Sequence, residues 1–215
     1  MIAAIVSGVA LLAASAVSAG PREQAKRIHD RLAGVPPSSA VLDAMEADIS
    51  GGRAIDAAYT AMDDLAFYGV TLKNFATPWT NRDRTVFAPL NDYVATVIGM
   101  VRDDVPFDTL LSADLVYIGK SSLGLPAYSM SNNDHYEQME SRGVDLKSGL
   151  VSTQQSAVTN LPPGATAGIL TTRGAASAFF FAGTNRAMFR FTLLNHLCDD
   201  LEQVDRKSTR LNSSH

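Results

Sequence analysis

The sequence predicts a mainly α fold, an irregular helical domain with long loops. Two observations carry this. Apolar residues recur at helical spacing in successive stretches, each bounded by Gly or Pro. There is no strand–helix–strand alternation and no repeat of useful length.

The elements follow in order. In "REQAKRIHDRLAG", Ala25, Ile28 and Leu32 share a helix face and Gly34 stops it. After Pro36 and Pro37, Ser38 or Ser39 caps a second helix with Val41, Leu42, Met45 and Ile49 as its stripe, ended by Gly51 and Gly52. A third helix starts near Arg53, is expected to bury Ile55, Ala58, Tyr59, Met62 and Leu65, and ends around Tyr68–Gly69. Gly69 to Thr85 has no clean period. It carries the only tryptophan, Trp79, and Pro78 forbids a regular helix through it. Val86, Leu90, Val94, Val97 and Val101 step as a helix that ends at "RDDVPF", where Pro106 opens a short turn.

"ADLVYIGKSSLGLPAYSMSNND" reads as a long irregular connection and "NDHYEQMESRG" as a short helix capped by Asn133. "LVSTQQSAVTNLPPGATAGIL" reads as loop, broken most sharply at Pro162-Pro163-Gly164. From Thr184 on, Ala187, Phe191, Leu194, Cys198 and Leu201 step by four, three, four and three, which predicts one buried apolar seam on a helix.

Both ends read differently from the body. "MIAAIVSGVALLAASAVSAG" has no charge and ends in small residues at Val17-Ser18-Ala19. Residues 1–19 are therefore expected to be a signal peptide cleaved after Ala19, sending the protein to the periplasm or outside the cell. An N-terminal membrane anchor is the alternative. "DRKSTRLNSSH" matches the translation of a sequencing-adapter oligonucleotide. Residues 205–215 are expected to be an artefact, with the gene truncated before its C-terminus. The remainder, 20–204, suits one helical domain, or two sub-domains meeting near 120–165.

The tail holds Arg206, Lys207, Arg210 and Asp205. Without it, 15 Lys and Arg stand against 21 Asp and Glu, a net charge of −6. That surface does not suit nucleic acid, whose phosphates need a basic patch. The one cysteine, Cys198, has no internal disulfide partner.

The chain has no Cys-x-x-Cys-His, no phosphate loop, no dinucleotide fingerprint and no Gly-x-Ser-x-Gly elbow. "NNDHYE" offers Asp134, His135 and Glu137 as metal ligands, but the adjacent Asp134 and His135 point about 100° apart on a helix, so one ligand from this cluster is expected at most. "NHLCDD" offers His196 and Cys198, which diverge by roughly 200°. Neither spacing builds a metal site. Arg82, Arg84, Arg173 and Arg186 lie beside the irregular segments, together with Asn81 and Asn185. Their forked donors suit loop carbonyls. The competing reading is a polar loop site of Asn81, Arg82, His135, Asn185 and Arg186.

The segments "AKRIHDRLAGVPPS", "FDTLLSADLVYIG" and "TAGILTTRGAASAFFFAGTNRAMFRFTLLNHLC" together resemble the exported domains that accompany planctomycete-type c cytochromes. The resemblance covers most of Ala25 to Cys198 as short, degenerate motifs. It implies an exported module of unassigned activity, with haem c attached in a missing C-terminal part and no cofactor in this stretch. It also implies a redox partner, or the chain's own C-terminal domain, as neighbour. The expected function is therefore a non-catalytic module of a larger haem-containing periplasmic protein. The alternatives are a periplasmic enzyme using the loop site and a purely structural cell-envelope module.

Overall fold

The computed structural model describes residues 19–180 and 185–200, excluding the Asn185 side chain. The expected signal segment up to residue 18, the 205–215 tail and Leu201 lie outside the described residues. The fold is mainly α.

Three helices open the chain: α1 (Pro21–Leu32), α2 (Ser39–Ser50) and α3 (Ala54–Met62). Pro21 suits the first turn of α1, where its missing N–H costs nothing. The Ser38 hydroxyl accepts from the Val41 amide and caps α2. Gly34 and Gly52 take positive φ after α1 and α2. The helices meet around Met45, Ala25, Ala57 and Ala61, with Ile28, Leu32, Val41, Leu42 and Ile49 against them. The face expected for α3 is corrected here. Ile55 and Tyr59 are 72% and 63% exposed, and Leu65 is also exposed, while Ala57 and Ala61 are fully buried. Alanine at those two positions lets α3 approach α1 and α2 closely.

The aperiodic stretch that follows is helical after all, but its winding changes. It runs as a π-helical turn (Phe67–Leu72), then α4 (Lys73–Ala76), then a 3₁₀ turn (Thr77–Thr80) that accommodates Pro78. No single period fits three windings.

The hub is α5 (Asp92–Arg102), buried from Asp92 to Met100. It starts at Asp92, not at Val86 as the spacing suggested. The Asn91 side chain accepts from the Val94 amide, and Val86 is exposed. Around α5 gather Phe67, Leu72, Leu90, Tyr117, Tyr136, Met139, Leu150, Ile169 and Phe179.

Two segments expected as loop contain strands: β1 (Val116–Gly119) and β2 (Leu150–Thr153) pair antiparallel, with Ile118 opposite Val151. The outward backbone groups of β1 are met by side chains. The Tyr117 amide donates to Thr96 Oγ1, the Tyr136 hydroxyl donates to the Tyr117 carbonyl, and the Gly119 amide donates to His135 Nε2. Gly99 on α5 lies under the Tyr117 ring, where a Cβ would come within 2.1 Å of it.

The rest is short helices: α6 (Asp134–Ser141), α7 (Leu146–Gly149), α8 (Gln155–Val158), α9 (Arg173–Phe179) and α10 (Asn185–Thr192). The expected C-terminal seam is also corrected. α10 passes into a π-helical turn (Leu193–Leu197), and Cys198 ends it with φ 53°, exposed. The wider turn shifts the phase, so the four-three-four-three spacing does not keep one face. Ala187, Phe191 and Leu194 are half-buried, and Phe191 stacks on Phe179 with ring centroids 4.5 Å apart.

Candidate functional site

A carboxylate lies at the centre of the polar architecture. Asp92 opens α5 and is fully buried. Its Oδ2 accepts from the Arg173 amide at 2.7 Å and from the Tyr128 hydroxyl at 2.9 Å. Its Oδ1 accepts from the Gly174 amide at 2.8 Å and the Tyr93 amide at 3.0 Å. One side chain thus serves the first turns of both α5 and α9. Thr172 completes α9 by accepting from the Ala175 amide. Four donors make this burial of charge tolerable. Gly174 is required by the close approach, since a Cβ there would lie 2.9 Å from Asp92 Oδ1. Burial, and after it the Asp92 charge, raises the Tyr128 pKa strongly, so its phenol stays a donor.

Beside this lock is an open cleft of about 470 Å³. The Thr80–Arg82 turn, the Ala88–Asn91 approach to α5, the start of α6 and the outer face of α9 form its walls. Two of the sequence candidates, Asn81 and Arg82, line it. Asn81 is spent on its own turn: Nδ2 donates to the Thr77 and Thr85 carbonyls, and Oδ1 accepts from the Thr85 amide. Arg82 Nε donates to the Ala178 carbonyl at 2.9 Å and ties the turn to α9.

His135 is not in this cleft. It lines a separate cavity of about 600 Å³ with Ile118, Leu125, Pro126, Tyr128 and Val158. Its Nδ1 lies 2.6 Å from the Pro126 carbonyl, and its Nε2 takes the Gly119 amide. A carbonyl can only accept and an amide N–H can only donate, so the ring is the neutral Nδ1–H tautomer and both nitrogens are engaged. Asn185 begins α10, and Arg186 follows it, exposed.

His196 pairs with the buried Tyr93, Nε2 to Oη 3.0 Å, and meets the Trp79 ring edge-on. Burial lowers the His196 pKa, which favours the neutral ring. Burial also raises the Tyr93 pKa strongly. The neighbouring Cys198 is exposed in the left-handed region. Among the described residues no group of three or more His, Cys, Asp or Glu is placed to hold a metal ion. No described helix is long and apolar enough to cross a membrane.

Sequence reasoning missed Asp92 and the hydrogen-bonding role of Tyr128, and it read Asn133 as a helix cap and Glu137 as a member of a polar cluster, not as walls of a cleft. An acid after Asn at a helix start reads as an ordinary first-turn charge. The only available signal was "NDY" leading into an unbroken apolar helix, which places an acid where no solvent reaches it.

In comparisons with known proteins, the chain matches no family model, no curated protein and no solved structure.

Proposed function

We propose that this chain is a non-catalytic helical module of a larger exported protein whose c-type haem is carried outside the described residues. The observation that carries the non-catalytic part is where the polar candidates spend their hydrogen bonds. Asn81, Arg82 and His135 are turned to main-chain atoms. A general base needs a reachable lone pair and a nucleophile beside it. The two ring nitrogens of His135 offer neither. Export is supported by the uncharged leader, with α1 opening at Pro21 directly after the expected cleavage point. The haem neighbour is supported by the family resemblance.

The test has two arms. Expressed with its leader in a Gram-negative host that attaches haem covalently, the protein should be recovered from the periplasm beginning at Gly20. Retention in the cytoplasm with Met1 in place would end the export reading. An overlapping gene sequence that continues past Val204 should encode Cys-x-x-Cys-His. A stop codon without that motif would leave a purely structural envelope module ahead.

The open cleft favours a second reading, a periplasmic enzyme working around Asn81/Arg82 and Asn185/Arg186. It requires that Arg82→Ala abolish some turnover without lowering thermal stability. The bond to Ala178 predicts the reverse.

A further inference from the structure

The cleft beside α9 holds two opposite charges that do not touch. On its wall Arg173 Nη2 donates to Asn133 Oδ1 at 2.6 Å, and Asn133 Nδ2 donates to Glu137 Oε1 at 3.2 Å. An amide therefore stands between guanidinium and carboxylate, where a direct ion pair would have neutralised both. Arg173 spends one of its five N–H groups on this contact. The Asn133 amide also donates to the Leu90 carbonyl, which fixes the spacer to the approach of α5.

The walls are held from behind. Asp92 fixes the first turn of α9 that carries Arg173, and Asn81 and Arg82 fix the facing turn. A binding surface ordered before the ligand arrives loses less entropy on binding. The volume, about 470 Å³, is that of a small-molecule site.

We infer that this cleft binds a small zwitterion of the α-amino-acid type, with its carboxylate on Arg173 and its ammonium on Glu137. Guanidinium presents parallel N–H donors to a carboxylate, and the exposed Glu137 carboxylate suits an ammonium. The Asn133 amide, with one hydrogen bond on either side of it, keeps the two charges apart, so that one small molecule with an ammonium and a carboxylate can reach both. Arg82, Thr80 and Ser177 line the remaining space, where the substituent would lie. This role stands whether or not the chain belongs to a haem protein.

The test is titration calorimetry of the purified protein with a panel of free α-amino acids, and with acetate and ethylammonium as single-charge probes. At least one amino acid should bind at least 10-fold more tightly than either probe. Glu137→Gln should erase that advantage while leaving acetate binding in place. Arg173→Gln keeps the backbone N–H that Asp92 needs, and should abolish both. Ser177→Trp fills the cleft from an exposed position. It should block binding with an unchanged melting temperature, so loss of binding there is not loss of fold. Acetate or inorganic phosphate binding as tightly as the best amino acid would overturn the inference, because the site would then read only anionic charge. Absence of binding across the panel would overturn it too. Recovery of the amino acid chemically unchanged after overnight incubation is expected. Its conversion would defeat the non-catalytic reading while leaving the binding site intact.

Discussion

Around Met45, α1, α2 and α3 meet through alanines and one large side chain, and apart from His29, buried on α1 with its Nδ1 against the Val35 carbonyl, their charged groups lie toward the surface. Arg22 reaches Asp43 and Glu46 there, and Lys26 reaches Asp30. Around Asp92 the polar groups are inside: Asp92, Asn91, Thr96 and His135 are all buried, each bonded to the main chain of a neighbouring segment or of its own helix start. The first region is held by area removed from water, which is tolerant of detail. The second is held by donors and acceptors that must all be matched, because a buried group left without a partner costs far more than a bond contributes. The same chain thus uses a forgiving device at its start and an exacting one at its centre.

The largest test of that contrast is Asp92→Ala. It strips partners from three amides and the Tyr128 hydroxyl. At roughly 1–3 kcal/mol per stranded buried group, the loss should be at least about 4 kcal/mol, read as a shift in the urea midpoint. A loss below about 2 kcal/mol would show that water replaces the carboxylate and that the centre is not exacting.

Met45→Ala should come next, at about 2–4 kcal/mol for a fully buried methionine among small neighbours. If it costs more than Asp92→Ala, the ranking of the two regions is reversed.

Gly99→Ala should cost about 1–3 kcal/mol by driving a methyl group into the Tyr117 ring. Tyr117 donates to Asp103, so the change should also disturb the Arg102–Asp103 pair, in which Arg102 holds the Asp103 pKa below its usual value. Wild-type stability at that variant would mean that α5 and β1 can move apart.

The His196 effect is smaller and depends on pH. Burial lowers its pKa in the folded chain, so the unfolded chain binds the proton first as pH falls. Its contribution is complete above the ordinary histidine range and declines as pH drops through about 6.5 toward the lower folded value. The melting temperature should therefore fall between pH 7.5 and 5.5, and His196→Gln should flatten that fall. An unchanged slope in the variant would assign the dependence to other groups.

At the bottom of the scale, Tyr59→Ser should change stability by no more than about 0.5 kcal/mol, since its side chain faces outward. A larger loss would restore the packed face that periodicity assigned to α3.

The forgiving region was the legible one. Gly34, Ser38 and Gly52 mark its helix ends, and each does so by a local rule that needs no knowledge of the rest of the chain. Its one misreading, α3, arose because a stripe count rewards Ile55 and Tyr59 and passes over Ala57 and Ala61. At a close crossing it is the small residues that go inside. The exacting region was hard to read for the opposite reason. Its information lies in pairs far apart in sequence, such as Asp92 with Gly174 and His135 with Gly119. The π-to-3₁₀ stretch and the turn before Cys198 break the single period that the eye searches for. Asn133 was placed correctly at the start of α6. Its side chain, however, serves Leu90, Glu137 and Arg173, and makes no cap. Asn81 and Arg82 were flagged for their position beside irregular backbone, and they do line the cleft.

The small sheet has a consequence for how the molecule meets its own copies. Alternation turns the main chain of Tyr117 and Gly119 away from β2, and Thr96, Tyr136 and His135 already occupy it. On β2 the main chain of Leu150 and Ser152 turns outward, and the Arg102 guanidinium takes the Leu150 carbonyl. A strand from another molecule therefore finds only a short and mostly occupied ladder to extend, which disfavours edge-to-edge pairing at this sheet.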